Sequence, residues 1–261
     1  MKKVFTFLIL CASLLLPGAE LLENPARSYQ YHLQGIAADE TGIYWSFTDT
    51  LVKTDWQLKV LKEVHFPRCH GGDLCVAEGD IFWGMLLRKP DLIAANSNSK
   101  GAVYRFSKDL VLKKKYPLPS VKEGIDGITF HKGKFYVAPV LAKDPHKESA
   151  VVILDRDFKF IKRMEFTTES SKKFGIQTLN IVHGVLLTAF YDNARYSPLF
   201  FPDTMKLKTT IELRPNVGMA KVPAKIAGNE NTFIIGRLRG KRGAYHCGLL
   251  KLIITPDFKV Q

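Results

Sequence analysis

The stretch "QGIAADETGIYWSFTDTLVKTDWQLKVL", residues 34–61, shows the pattern that decides the fold. Its strand-like runs "GIYWSF" and "LVKTD" are rich in β-branched and aromatic residues, and a glycine turn and aspartates bound them. The order strand, glycine turn, strand, loop, strand, aspartate turn, strand predicts four antiparallel strands. Similar short runs recur to the end of the chain, and no convincing amphipathic helix longer than about ten residues interrupts them.

Two landmarks of this unit occur five times. One is an aspartate that closes a strand, where its side chain is expected to accept backbone N–H bonds in a tight turn. The other is a small or short residue ahead of an apolar one, at the entrance of the unit. The aspartates are Asp55, Asp109, Asp157, Asp203 and Asp257, and the entrances are "QGIA" at 34, "GDLC" at 72, "DGIT" at 126, "QTLN" at 177 and "VGMA" at 217.

Units of roughly 40–50 residues with four strands each are typical of propeller blades. The sequence therefore predicts an all-β fold, a β-propeller with five four-stranded blades, six blades being the alternative. Each blade is expected to begin at its innermost strand, and "SYQYHL" (28–33) is expected to add an outer strand to the last blade.

The unit at 34–61 resembles the degenerate repeats of secreted bacterial propellers of the broad NHL-like or gluconolactonase-like type. The resemblance covers the mature chain and implies the fold. Gluconolactonase-like and paraoxonase-like propellers hold a divalent cation near the channel mouth and use it to hydrolyse esters or lactones. The resemblance thus raises the same possibility for this chain, although their motifs have no residue-by-residue match here.

Residues 1–19 read as a secretory signal peptide. Lys2 and Lys3 precede the apolar run Val4–Leu16, and Pro17-Gly18-Ala19 provides a small-residue exit. The run is too short for a spanning helix, which needs about 20 apolar residues. A lipoprotein signal built on Cys11 is the weaker alternative, because Leu10 before it is not small. The prediction is an exported, periplasmic or extracellular protein with one domain at 20–261 and no transmembrane segment.

The chain is strongly basic, with a formal net charge of +13. In an exported protein this charge favours an anionic membrane surface or an acidic ligand over nucleic acid, unless the lysines are simply scattered over a solvated surface. The mature chain keeps Cys69, Cys75 and Cys247, and this odd number leaves at least one thiol unpaired. Zinc would need a shorter cysteine spacing than that of Cys69 and Cys75. A Cys69–Cys247 disulfide stays open.

Polar residues at the entrances of the inner strands indicate a site. In a propeller these entrances surround one mouth of the central channel, so residues far apart in sequence are brought together there. The candidates are Gln34, His70, Asp73, Asp126, Gln177 and Asn216.

Long polar connections between second and third strands are expected to surround the same mouth. They lie at 87–101, 142–149, 191–198 and 238–247. Their basic residues, among them Arg88, Arg195 and Arg239, predict a positive rim that attracts an anionic ligand such as an acidic sugar or a phosphate.

Several chemistries fit these candidates. Asp73 and Asp126, with the two glutamines, offer oxygen ligands of the type that calcium prefers. The same two acids form an incomplete glycosidase pair. No G-x-S-x-G element or partnered cysteine supports a covalent nucleophile. The favoured interpretation is a monomeric binding or scaffold propeller for an anionic or carbohydrate ligand or an envelope protein. The alternative is a metal-assisted hydrolase of a lactone, ester or sugar, with His70 as general base.

Overall fold

The computed structural model describes residues 20–23, 28–67, 69–87, 100–140, 149–166, 175–190 and 196–261. They form five four-stranded antiparallel sheets, which confirms the all-β, five-bladed prediction. Within the described residues, no helix has the length and apolar character to cross a membrane. The predicted signal peptide at 1–19 lies outside the described residues.

Each of the first four blades is one continuous chain segment running from the innermost to the outermost strand. Blade 1 contains β2 (Leu33–Asp39), β3 (Gly42–Phe47), β4 (Thr50–Thr54) and β5 (Val60–His65). Blade 2 contains β6 (Cys69–Ala77), β7 (Asp80–Leu87), β8 (Gly101–Phe106) and β9 (Leu112–Pro117). Blade 3 contains β10 (Ile125–His131), β11 (Lys134–Pro139), β12 (Ser149–Asp155) and β13 (Phe160–Phe166). Blade 4 contains β14 (Ile176–Val182), β15 (Val185–Phe190), β16 (Ser197–Phe200) and β17 (Leu207–Ile211).

Blade 5 combines the two ends of the chain. Its inner three strands are β18 (Met219–Lys221), β19 (Thr232–Lys241) and β20 (Ala244–Ile253), with the short helix α1 (Ala224–Ala227) after β18. The outer strand is β1 (Glu20–Glu23), which pairs with β20. The expectation that 28–33 supplies this strand is wrong: only Tyr29 bridges to Tyr245, and Leu33 already begins blade 1.

Five apolar clusters, one between each pair of neighbouring blades, hold the ring together. The cluster between blades 1 and 2 contains Tyr44 and Trp83, and the one between blades 5 and 1 joins Ile36 to Ile234 and Leu249. The aromatic residues of the second strands take part in this packing, and all of them are buried: Tyr44, Trp45, Phe82, Trp83, Phe135 and Tyr136. Burying a large side chain stabilises the fold by roughly 1.5–3 kcal/mol, so these interfaces dominate the stability of the ring.

The cysteines belong to this packing. All three are buried and none forms a disulfide, so the Cys69–Cys247 bond left open by the sequence is not formed. Cys69, Cys75 and Cys247 lie in three different apolar clusters.

The turns between third and fourth strands correct the aspartate landmark. Asp55 accepts N–H bonds from Gln57 and Lys59, as expected. In blades 2, 3 and 5, however, the acceptor lies two residues before the landmark aspartate. These acceptors are Ser107, Asp155 and Thr255. The feature that all five turns share is an apolar residue with positive φ: Leu58, Leu110, Phe158, Met205 and Phe258.

Candidate functional site

The five inner strands begin around one end of the channel, which we call the channel mouth. Four of them carry a β-bulge at this point, because the pairing with the second strand skips residues between Leu33 and Gly35, Gly71 and Leu74, Ile125 and Gly127, and Ile176 and Thr178. A bulge leaves its extra residue outside the ladder and redirects the side chain. The skipped residues are Gln34, Gly72 with Asp73, Asp126 and Gln177, which include four of the six residues predicted from the sequence.

The bulge residues form two layers along the channel. We count back from the buried apolar residue that follows each bulge, namely Ile36, Leu74, Ile128, Leu179 and Met219. Two positions before it stand Gln34, Gly72, Asp126, Gln177 and Val217. One position before it, and so one step deeper, stand Gly35, Asp73, Gly127, Thr178 and Gly218. Asp73 therefore lies below the layer of the other predicted residues.

Asp73 links three blades through their backbones. Its Oδ2 accepts the N–H of Leu179 in blade 4 at 3.1 Å, and the N–H groups of Leu74 and of Ile128 in blade 3 also favour its charged form, whereas Oδ1 is buried without a hydrogen-bond partner among the described residues. The Asp73 carboxyl group fits here because blade 1 has a glycine at the facing position: a Cβ on Gly35 would lie 2.2 Å from Asp73 Oδ1. Asp73 is 1% exposed, and burial raises its pKa well above the usual range, against the opposing effect of the N–H bonds.

Asp126 has a different environment in the upper layer. Its side chain is buried, and among the described residues its carboxyl group has neither a hydrogen-bond donor nor a cationic partner. Burial alone raises the pKa of Asp126 to about 7. A carboxyl group that titrates near neutrality can act as a general acid or base, and it sits at the mouth of a channel.

Gln34 is the centre of a hydrogen-bond network. Its Oε1 accepts from Gln177 Nε2 at 2.6 Å, and its Nε2 lies 2.9 Å from Nε2 of both His70 and His32. An amide nitrogen only donates, so this network assigns both imidazoles as uncharged acceptors with the ring proton on Nδ1. The direction of the His32 pKa, lowered by burial, agrees with a neutral ring.

His32 was not among the candidates, because the segment before Leu33 was interpreted as part of an outer strand. Its position two residues ahead of Gln34, on the same side of an extended chain, was the signal that could have identified it.

Three arginines crowd the blade 5 side of the mouth. Burial, Arg214 and Arg239 together lower the pKa of Arg237. Arg237 directly follows Gly236, whose N–H donates to Gly218 O at the entrance of β18. Among the described residues Arg237 forms no ion pair, so its charge is not neutralised by a carboxylate there.

Arg239 was predicted from the sequence as a loop residue, but the structure places it on β19. The predicted loop at 238–247 is wrong, because β19 and β20 form a long hairpin that turns only at Arg242-Gly243. Asn216 is half-buried in the turn ahead of β18, beside the arginines and outside the amide network. Arg88 and Arg195, and most of the other predicted rim connections, lie outside the described residues.

The residues present fit calcium poorly. The three N–H donors around Asp73 stabilise negative charge and would face a cation with their positive ends. Gln34 and Gln177 already bind each other and the imidazoles. In the described part of the chain, no group of three or more His, Cys, Asp or Glu side chains is placed to hold a metal ion.

No protein-family model matches the chain, and no curated protein matches it. Among solved structures, it is similar to the glutaminyl cyclase of Myxococcus xanthus, with 11% identity over 91% of this chain and 97% of that chain and a TM-score of 0.60. It is also similar to a protein of unknown function from Bacteroides caccae, with 11% identity over 80% of this chain and 72% of that chain and a TM-score of 0.50. At this identity the likeness shows a common fold and no common activity.

Proposed function

We propose that the protein is a binding propeller whose channel mouth takes a small anionic ligand, such as an acidic sugar or a phosphate compound. The observation that carries this proposal is the position of the exposed Arg237 directly after Gly236 at the entrance of β18, where burial of its stem, and then Arg214 and Arg239, lower its pKa. Holding like charges together costs free energy, and a bound anion offsets that cost.

The amide and imidazole network supplies the uncharged part of the site. Gln177, Gln34, His70 and His32 fix one another through hydrogen bonds, so a ligand meets groups that are already oriented. Preorganisation of this kind reduces the entropy lost on binding. Neutral donors and acceptors beside a cationic patch suit a sugar that carries a carboxylate or phosphate. With export through the predicted signal peptide, such ligands would be components of a cell envelope.

The test is a comparison of glucuronate, inorganic phosphate and glucose as ligands, by thermal unfolding and calorimetry. A ligand that binds only the folded state stabilises it by RT ln(1 + L/Kd), where L is the free ligand concentration, and so raises the melting temperature; the two anions are expected to raise it and glucose is not. Arg237→Ala should weaken glucuronate binding at least about tenfold, which corresponds to the loss of one charge-assisted hydrogen bond.

The matched control is Arg156→Ala. Arg156 is an exposed arginine in a turn at the other end of the channel, where it pairs with Glu78. Its removal changes the net charge equally and should leave glucuronate binding unchanged. If both variants weaken glucuronate binding equally, the effect comes from the net charge of the protein, and the binding site does not lie at the mouth. If the protein binds neither anion but does bind an envelope protein, the scaffold interpretation of the mouth replaces the ligand-binding one.

A second candidate function rests on Asp126. Its buried, unpartnered carboxyl group with a pKa of about 7 favours acid–base hydrolysis of a lactone, ester or sugar at the same mouth. His70, predicted as the general base, accepts from Gln34 through Nε2 at 2.9 Å, so its one lone pair is occupied and Asp126 is the stronger candidate for that role. Because the residues at the mouth fit calcium poorly, this candidate reaction uses protein side chains and no metal ion.

Its test is the pH dependence of turnover for lactone, aryl ester and aryl glycoside substrates, with a glutaminyl peptide added because the Myxococcus xanthus neighbour is a cyclase. Activity that changes through about pH 7 and disappears in Asp126→Asn would support it. If the protein turns over none of the four substrate classes, the hydrolase proposal fails and only the binding proposal remains.

A further inference from the structure

The exposed large apolar side chains are concentrated at one end of the molecule. Nine such residues are described, and all but Tyr196 lie at or near the end of the channel opposite the mouth, which we call the lower face. The eight are Leu61, Val111, Leu112, Phe160, Ile161, Phe201, Leu207 and Ile226, and every blade contributes at least one. Exposed apolar residues are ordinary when scattered, but a one-sided set marks an interaction surface.

Five of the eight, Leu61, Leu112, Phe160, Ile161 and Leu207, stand at two equivalent positions of the outer strands. The first residue of each outer strand pairs with the end of the third strand, and these first residues are Val60, Leu112, Phe160 and Leu207. The next residue is skipped by the pairing in every case, so it forms a bulge at the sheet edge. The bulge residues are Leu61, Lys113, Ile161 and Lys208.

Lysines accompany the apolar residues around this ring. Exposed lysines adjoin the apolar positions in each blade: Lys62, Lys113, Lys159, Lys206, Lys208 and Lys225. Three aspartates of the same turns are ion-paired, Asp109 with Lys53, Asp203 with Lys134 and Asp257 with Lys259. Among the described residues Asp55 and Asp157 form no ion pair, and Lys113 pairs with Asp80, so the excess of positive charge at these turns is moderate. We call this ring of apolar and lysine side chains the lower rim.

Protection of sheet edges explains only half of this pattern. Lysines and bulges at an outer strand prevent edge-to-edge pairing with other sheets. Exposed Phe160 and Leu207 would work against that protection, since they add apolar surface beside an unpaired edge. Their recurrence beside lysines therefore fits a surface that is apolar and cationic at once.

The lower face also contains a cavity between blades 3 and 4 of about 450 Å³. Its lining includes two lysines and one aspartate, Lys132, Lys206 and Asp203, together with His131 and the exposed ring of Phe201. Lys208 Nζ lies 5.5 Å from the centre of that ring. A basic cavity with an apolar wall suits a negatively charged headgroup whose acyl chain continues past Phe201.

We propose that the lower rim docks the propeller onto an anionic lipid bilayer, with the channel mouth facing away from it. The five blades bring their rim residues to one end of a ring, and such an arrangement matches a flat partner. Apolar side chains enter the boundary between headgroups and acyl chains, and the lysines attract the anionic headgroups. The net charge of +13 acts in the same direction.

The experiment is co-sedimentation of the full chain with vesicles of phosphatidylcholine alone or mixed with phosphatidylglycerol. Binding is expected only to the mixed vesicles, and raised salt should reduce it because salt screens the lysines. The double variant Phe160→Ser, Leu207→Ser should bind at least about tenfold more weakly, given the apolar area removed. Every variant keeps residues 1–19, so any contribution of the apolar run at 4–16 is common to all.

Two matched controls lie at the mouth. Tyr196→Ser removes an exposed apolar side chain there, and Lys122→Glu makes the same charge change as Lys159→Glu at the lower rim. Both controls should bind like the unaltered chain, whereas Lys159→Glu should bind more weakly. The proposal is overturned if the unaltered chain ignores phosphatidylglycerol, or if the mouth variants weaken binding as much as the rim variants. It is also overturned if the rim variants only abolish a dimer seen by light scattering, since the rim would then join two copies.

Discussion

Equivalent positions of the blades carry different kinds of residue at the channel mouth and similar residues at the lower rim. At the mouth the position two before the buried apolar residue is Gln34, Gly72, Asp126, Gln177 or Val217, different in kind from blade to blade. At the lower rim the first outer-strand residue is apolar in each of four blades: Val60, Leu112, Phe160 and Leu207. Variation among equivalent positions suits the recognition of one asymmetric ligand, and repetition suits an extended uniform partner.

The largest effect is expected from the one acid in the deeper layer. Asp73→Ala would leave the N–H groups of Leu74, Ile128 and Leu179 without their acceptor in a buried channel. Each unsatisfied buried donor costs about 1–3 kcal/mol, so the free energy of unfolding should fall by at least about 3 kcal/mol. Urea denaturation measures this loss.

Asp73→Asn is the companion variant, because an amide oxygen can keep the bond to Leu179 N. It should cost clearly less than Asp73→Ala. If both variants unfold at the same urea concentration as the unaltered chain, Asp73 does not hold the blades together, and the division of the channel into two layers loses its physical meaning.

A smaller effect, with a defined pH dependence, is expected at Asp126. The folded-state pKa of about 7 lies above the ordinary 3.8, so the folded state binds the proton more tightly than the unfolded state. The stability contributed by the neutral group is complete below about pH 4 and is lost as the pH rises through 7. Asp126→Asn should therefore stabilise the fold at both pH 5 and pH 8, and by about 2.7 kcal/mol more at pH 8, because the two pH units between 5 and 7 each contribute about 1.36 kcal/mol.

Thermal unfolding at the two pH values checks this expectation. The control is Asp157→Asn, an exposed aspartate on the lower face, which should show no difference between the two pH values. A melting-temperature gain for Asp126→Asn that is the same at pH 5 and pH 8 would show that the carboxyl group is charged in both, and the contrast with the lower rim would weaken.

The smallest effect on stability is expected at the lower rim itself. Phe160 and Leu207 are 55% and 58% exposed, so replacing either by serine should change the free energy of unfolding by no more than about 0.5 kcal/mol. Urea denaturation of the two single variants tests this. A loss of several kcal/mol would mean that the rim residues pack inside the folded ring and do not form an exposed docking surface.

The repeat and the blade count were readable from the sequence, because strand length, turn residues and the entrance motifs recur with the blade. The convergence of Gln34, Asp126 and Gln177 followed from that repeat. The depth of Asp73 did not, since it depends on a bulge that skips two residues in blade 2 and one in the others. Bulges are set by local hydrogen bonding, which leaves no mark in the pattern of apolar residues.

The apolar pattern also fails to show the hydrogen bonding that decides the turns and the blade 5 hairpin, so both were predicted incorrectly. The acceptor in each turn is Asp, Ser or Thr, and only the backbone shows that Ser107 and Asp155 are equivalent to Asp55. Residues 238–247 appeared loop-like because both sides of that part of the hairpin are largely exposed, so no apolar alternation indicates a strand. His32 was missed because the segment before Leu33 was interpreted as an outer strand, although its partner Gln34 lies only two residues away.

The pairing of β1 with β20 brings residue 23 beside residue 248, so the chain is tied into a loop by hydrogen bonds between its two ends. A single cut between any two blades would open the covalent chain without separating the pieces, because the paired ends and the remaining blade interfaces still hold them. Two cuts would be needed to release a blade. The fold is therefore built to survive one cut by a protease.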